Sequence, residues 1–275
     1  MVSMIKLPIN RSLNWKVVCV LVVMQLVGNL ASIPLYQETH ERIEPITSYV
    51  FWTLISIPLI ALALALACRV GLGAPLLEGY LTGPKIYAWW RRVLGLLLLM
   101  LVVGVIPFLV VNQNVNIETY PPLWTLLLAS VQAGVREEIF MRLFIMSLLA
   151  WLGGRFKSDD DRPNSDVMWM AIILSGIFFG LAHTDNVPYS PVILGALMNI
   201  FFVNFMFGMF FGWLYWRLGI ESAILAHFTI DAVGSVILVP VYFSGNFLLQ
   251  LLVAAMLLVG GIVGLRLLKL ELVNA

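Results

Sequence analysis

The chain has 275 residues, of which 61% are hydrophobic and only 11% charged, with a formal net charge of +1. Soluble domains carry about 25% charged residues, so a chain this apolar cannot cover a water-facing surface, and its solvent is expected to be a lipid bilayer. The near-neutral balance gives no electrostatic basis for a nucleic acid or a strongly acidic partner.

A spanning helix takes about 20 apolar residues. Eight such runs follow one another at 15–35, 46–68, 93–111, 123–152, 167–183, 191–215, 222–239 and 247–267. An all-α membrane protein with one bundle of eight helices is therefore expected. The first run follows Lys6, Arg11 and Lys16, as in a secretory signal, but it lacks a small-residue cleavage site and is long enough to span, so a retained helix is expected. Cys19 and Cys68 lie in or near apolar runs without a CxxC pair and read as membrane-embedded thiols. Residues 153–166, with Arg155, Lys157, Asp159, Asp160, Asp161, Arg162 and Asp166, read as a solvated loop. The chain shows no soluble domain and no internal repeat.

Charge supports this count, because cytoplasmic loops are rich in Lys and Arg. With the N-terminus inside, the inside set is Lys6, Arg11, Lys16, Arg69, Lys85, Arg91, Arg92, Arg155, Lys157, Arg162, Arg217, Arg266 and Lys269, and the outside set is Arg42 alone. Both termini are expected on the cytoplasmic side. Trp89-Trp90-Arg91-Arg92 fits an anchor at headgroup level.

Two basic residues remain, Arg136 and Arg142, and both fall inside the fourth run beside Glu137 and Glu138. A charge at mid-bilayer costs at least about 2.5 kcal/mol, and such residues face a bundle interior or a wet cavity. Four ionisable groups so close together therefore demand a polar interior. Glu138 and Arg142, at i and i+4, can pair, which leaves Glu137 on an adjacent face and less neutralised. Of the three histidines, His40 lies in an outside loop beside Glu38 and Glu41 and reads as a surface residue. His183 closes the fifth run, and His227 sits within the seventh, one turn before Asp231 on the same face.

Two histidines, an Asp and a di-Glu on three helices suit hydrolysis. A carboxylate can take a proton from water, and an imidazole can orient that water or donate to the oxyanion that develops. Gly176-x-x-x-Gly180, Gly208-x-x-x-Gly212 and Gly260-x-x-x-Gly264 are small-residue patterns of closely packed membrane helices. Met198, Met206 and Met209 read as lipid-facing or packing residues.

Together, Glu137-Glu138-x-x-x-Arg142, Phe179-x-x-x-His183 and His227-x-x-x-Asp231 resemble the CAAX protease and bacteriocin-processing family, also called Abi. The resemblance covers roughly residues 121–240 as a catalytic core. The helices of 1–120 precede it, and one last helix in 241–275 follows. It implies a glutamate-type intramembrane endopeptidase that needs no metal, with Glu137 and His183 activating water, His227 and the residue at 231 binding the oxyanion, and Glu138 and Arg142 as structural support. The eukaryotic-type members typically carry Asn where this chain has Asp231, and the family tolerates Asp there. An ionised carboxylate repels an oxyanion, so Asp231 is either protonated in its membrane setting or orients His227; the orienting role is expected.

Two other readings stay open. Glu137, His183 and His227 could be three ligands of a zinc protease, although no HExxH is present. A transporter or immunity-type membrane protein could use the same cluster for binding or proton relay. The compact loops and the lack of a targeting segment fit a bacterial cytoplasmic membrane. A peptide precursor or a membrane-anchored protein is the substrate expected there, rather than a prenylated one.

Overall fold

The computed structural model describes residues 13–39, 46–82, 87–111, 117–157, 163–184 and 193–273, which are mostly helical with no strand among them. In chain order the helices are α1 (Trp15–Ala31), α2 (Ile33–Thr39), α3 (Ile46–Val70), α4 (Pro75–Thr82), α5 (Tyr87–Val111), α6 (Leu123–Glu138), α7 (Ser147–Lys157), α8 (Ser165–Ala182), α9 (Ile193–Leu218), α10 (Ile220–Val233), α11 (Val239–Phe243) and α12 (Phe247–Val273). Two π-helical segments, Ile139–Met146 and Gly234–Leu238, join α6 to α7 and α10 to α11 without a break.

Among the described residues, six helical stretches are long and apolar enough to cross a membrane: Trp15–Glu38, Tyr49–Val70, Ser165–Ala182, Leu197–Leu218, Ile220–Phe243 and Phe247–Leu268. The other two apolar runs are helical as well, one within α5 and one as the α6–π–α7 rod that carries the charges. Two details depart from expectation. The first run is divided near Ser32 into α1 and α2. The stretch read as a loop from 153 is still helical to Lys157, with Gly153 and Gly154 packed on Val167 and Pro163 of the returning chain. Residues 158–162, with the acidic triplet, and His40 lie outside the described residues.

Lipid tails are as apolar as leucine, so helices in a membrane associate through close packing rather than through removal of water. The glycine patterns serve this end. A Cβ on Gly208 of α9 would stand 3.0 Å from the Cα of Gly176 on α8, and one on Gly264 of α12 would stand 2.6 Å from the carbonyl oxygen of Gly95 on α5. Met198 and Met206 are exposed, while Met209 packs on Gly176.

Two devices set the position of α10, the helix of His227. At its start, Gly219 takes φ +95, and the Ile220 amide donates to the Gly73 carbonyl over 3.0 Å. The buried Glu221 carboxylate then accepts the Leu77 amide at 2.8 Å, which caps the N-terminus of α4. Further along, α10 lies against α6 at Gly134, where a Cβ would be 3.0 Å from both the Ile224 oxygen and the Phe228 nitrogen. Any larger residue there would push the two backbones apart, and Glu138 is one turn beyond.

Candidate functional site

Each site residue is placed by its local structure. Glu137 and Glu138 end α6 where π winding begins, and π segments are frequent at functional sites. Arg142 lies within the π segment, fully buried, with its Nε 3.2 Å from Glu138 Oε2. Its guanidinium sits over the rings of Phe179 and Phe211, at 4.7 and 5.8 Å. The other Glu138 oxygen, Oε1, accepts from His227 Nδ1 at 2.8 Å. Glu138 therefore joins Arg142 on its own helix to His227 on α10.

His183 is the C-cap of α8. A helix end leaves carbonyls without partners, and His183 Nδ1 meets that of Phe179, four residues back, at 2.8 Å. A carbonyl only accepts, so Nδ1 carries the hydrogen, and in the neutral ring Nε2 presents a lone pair. The Phe179 ring lies 4.5 Å from the imidazole it supports. This gives the F-x-x-x-H spacing a physical basis: one turn of helix places both the acceptor that fixes the tautomer and the ring that fixes the tilt.

The two imidazoles converge on Glu137. Its Oε2 is 3.6 Å from His183 Nε2 and 3.9 Å from His227 Nε2, and that oxygen is buried without a hydrogen-bond partner among the described residues. His227 Nε2 is also 3.4 Å from Asp231 Oδ2. The His227 ring is stacked on Phe211 at 4.8 Å, so it is clamped in plane as well as at both nitrogens. Glu137, His183, His227 and Asp231 face one cavity of about 260 Å³, walled otherwise by Phe179, Ile200, Asn204, Phe207, Phe211 and Ile230.

The structure thus brings Glu137, His183, His227 and Asp231 to one cavity, with Glu138 and Arg142 buried behind them. Arg136 does not belong to the cluster: it is exposed. Successive helix positions point about 100° apart, so with Glu137 turned to the cavity Arg136 is turned away from it, and its long stem can carry the charge outward. The Glu138–His227 bond and the presence of Asn204 were not expected from sequence. An Asn within an apolar helix was the available signal for the second. Among the described residues no three His, Cys, Asp or Glu side chains are placed to hold one metal ion.

Chemically, the arrangement offers a carboxylate oxygen and an imidazole lone pair facing each other, a second imidazole held between carboxylates, and an apolar wall. Comparison finds a family model that matches the same stretch. Residues 119–233 match the model described as Type II CAAX prenyl endopeptidase Rce1-like, and the match encloses all three motifs. The resemblance carried by those motifs is thereby shown for this stretch of the chain. Comparison with curated proteins and with solved structures finds no match.

Proposed function

We propose, with the family match as premise, that this protein is an intramembrane endopeptidase in which Glu137 and His183 activate the water that attacks a peptide bond. The observation that carries this reading is the pair of acceptors, Glu137 Oε2 and His183 Nε2, 3.6 Å apart at the cavity wall. A water lying about 2.8 Å from each would donate one hydrogen to each and keep a lone pair for attack. The carboxylate takes the proton, and His183 holds the water in line because its tautomer is set by Phe179. His227, tied to Glu138, stands on the other side of Glu137 as a candidate donor to the oxyanion, with Asp231 orienting it. Glu138 and Arg142 support the site rather than react.

The rest of the reading is part of the same proposal. The chain crosses the bilayer eight times with both termini cytoplasmic, works without a bound metal, and sits in a bacterial cytoplasmic membrane. Its substrate is a peptide precursor or a membrane-anchored protein. The test uses purified protein in detergent with an internally quenched, degenerate peptide library. Wild type is expected to cleave library members with or without a chelator, and Glu137→Gln is expected to insert and purify normally while losing cleavage by at least a thousandfold. A Glu137→Gln protein that cleaves like wild type refutes the mechanism. Activity abolished by chelation and restored by zinc would favour Glu137, His183 and His227 as metal ligands.

A further inference from the structure

The cavity holds five polar side chains, and four of them are poorly suited to stabilising an oxyanion by a neutral hydrogen bond. Glu137 and Asp231 are acceptors when ionised. His183 commits Nδ1–H to the Phe179 carbonyl, and His227 commits Nδ1–H to Glu138 while its Nε2 faces the Asp231 carboxylate. The fifth is Asn204 of α9. Its amide donates from Nδ2 to the Ile200 carbonyl, one turn back, at 2.8 Å. An acceptor carbonyl fixes which end of the amide is nitrogen, so the group is oriented and one N–H is spoken for. Among the described residues the amide makes no other hydrogen bond. Positions 200, 204, 207 and 211 all line the cavity and follow the spacing of one helix face, so Asn204 is the single polar residue in the apolar stripe that α9 turns to the site. A polar side chain inside a membrane helix is costly unless it has a partner, and here half of its donor capacity is left for whatever enters.

We infer that Asn204 supplies the neutral N–H that binds the substrate carbonyl as it becomes an oxyanion, the part that Asp231 cannot play as a carboxylate. The inference rests on the endopeptidase reading. The donor is then on the facing helix, and Asp231 is left to hold His227. No atom of Asn204 changes its bonding in the step. The proton leaves water for Glu137, the new C–O bond forms, and the carbonyl electron pair moves onto the oxygen that Asn204 holds.

The experiment measures kcat and KM separately on the best-cleaved member of the quenched library, with thermal unfolding in detergent as a control for folding. Removing one preorganised oxyanion donor lowers kcat by about a hundredfold to a thousandfold. Asn204→Ala and Asn204→Asp are both expected to fall in that range with KM within about threefold, and with unfolding near that of wild type. The discriminating variant is the double substitution Asn204→Ala with Asp231→Asn, which returns a neutral amide to the cavity from the other side. It is expected to be at least tenfold more active than Asn204→Ala alone, whereas a packing role for Asn204 gives no such rescue. Asn204→Ala at more than a tenth of wild-type kcat, or no rescue in the double variant, overturns the inference. If Glu137→Gln is inactive in the same assay the endopeptidase reading stands regardless, and a wild type that cleaves no member of the library overturns both.

Discussion

Exchanging Glu138 for Gln leaves the side chain the same size and should still cripple the protein. Both carboxylate oxygens are in use with no solvent to replace them: Oε1 accepts from His227 Nδ1 at 2.8 Å, Oε2 pairs with Arg142 Nε at 3.2 Å, and neither Glu138 nor Arg142 is exposed. An amide has one acceptor and one donor end. If its oxygen serves His227, its NH2 opposes the guanidinium, donor against donor, and Arg142 becomes a buried charge without a counter-ion. Breaking one side of a buried pair costs about 3–5 kcal/mol. The pair is within one helix, so it forms already when the α6 rod enters the bilayer, and most of that cost falls on insertion; an unpaired Arg at mid-membrane costs about 2.5–3.5 kcal/mol on insertion scales. The link to His227 is between helices, where a hydrogen bond contributes about 0.6 kcal/mol on average. At 1.4 kcal/mol per decade, a loss of about 3 kcal/mol lowers the inserted, folded fraction roughly a hundredfold. The assay is the yield of monodisperse protein from membranes beside Glu137→Gln expressed identically. Adding Arg142→Met to Glu138→Gln removes the orphaned charge and should restore most of the yield, but not activity, because His227 has lost its ionised acceptor. A Glu138→Gln yield within twofold of wild type, or a Glu137→Gln yield that falls as far, would refute this division of roles.

Asp231→Asn should be impaired about tenfold across the whole pH range of cleavage if Asp231 orients His227; a variant that matches wild type at low pH and exceeds it at high pH would instead make Asp231 a protonated donor. Gly134→Leu should separate α6 from α10, since even a Cβ there meets backbone at 3.0 Å, and should lower both unfolding temperature and activity, whereas a Leu at the exposed Met206 should do neither. Single cysteines placed near the two ends of the chain should be labelled from the same side of the membrane, the cytoplasmic one; labelling from opposite sides would show that the count of eight spans is wrong.

How much of this was legible in the sequence depends on whether a feature belongs to one helix or to two. Apolar runs mark helices, and each run falls on one or more helices in the structure, the first being divided near Ser32. The Glu138–Arg142 pair and the His227–Asp231 spacing are also properties of single helices, and the side chains lie as that spacing requires. Contacts across helices leave no such periodic trace. The bond from Glu138 to His227, the seat of α10 on Gly134, the capping of α4 by Glu221 and the α9 face that presents Asn204 all needed the fold. Sequence counting also sets Glu137 at mid-span and His183 at the end of its helix, as though they lay at different depths. At about 1.5 Å per residue, and somewhat less through the π segment, Glu137 lies back from Lys157 at the end of α7 by about 30 Å or a little less, and His183 is about 27 Å from Ser165 at the start of α8. The two helices run side by side, so both residues reach the same level. About 21 Å of α6 continues beyond that level, and α8 stops where its last residue is needed.

The charge inventory explains why such a site can work in a medium that penalises charge. Glu137, Glu138 and Asp231 bring three carboxylates, and Arg142 brings one fixed cation that is bound to Glu138. In the proposed attack the proton from water neutralises Glu137 while the oxyanion takes up the negative charge. The net charge of the cavity is unchanged, so the bilayer exacts no new desolvation cost. What remains is the difference between holding that charge at Glu137, between two imidazoles, and holding it on the former carbonyl oxygen. His227 lies beside both locations only if its ring stays fixed while the charge moves past it. Its fixtures are Glu138 on Nδ1, Asp231 near Nε2 and Phe211 against its face. In the inferred role Asn204 would contribute at the second location and not at the first, and interactions present only after the charge has moved are the ones that lower the barrier. That ordering predicts a kcat effect without a KM effect for Asn204, and it separates Asn204 from the residues that merely build the cavity.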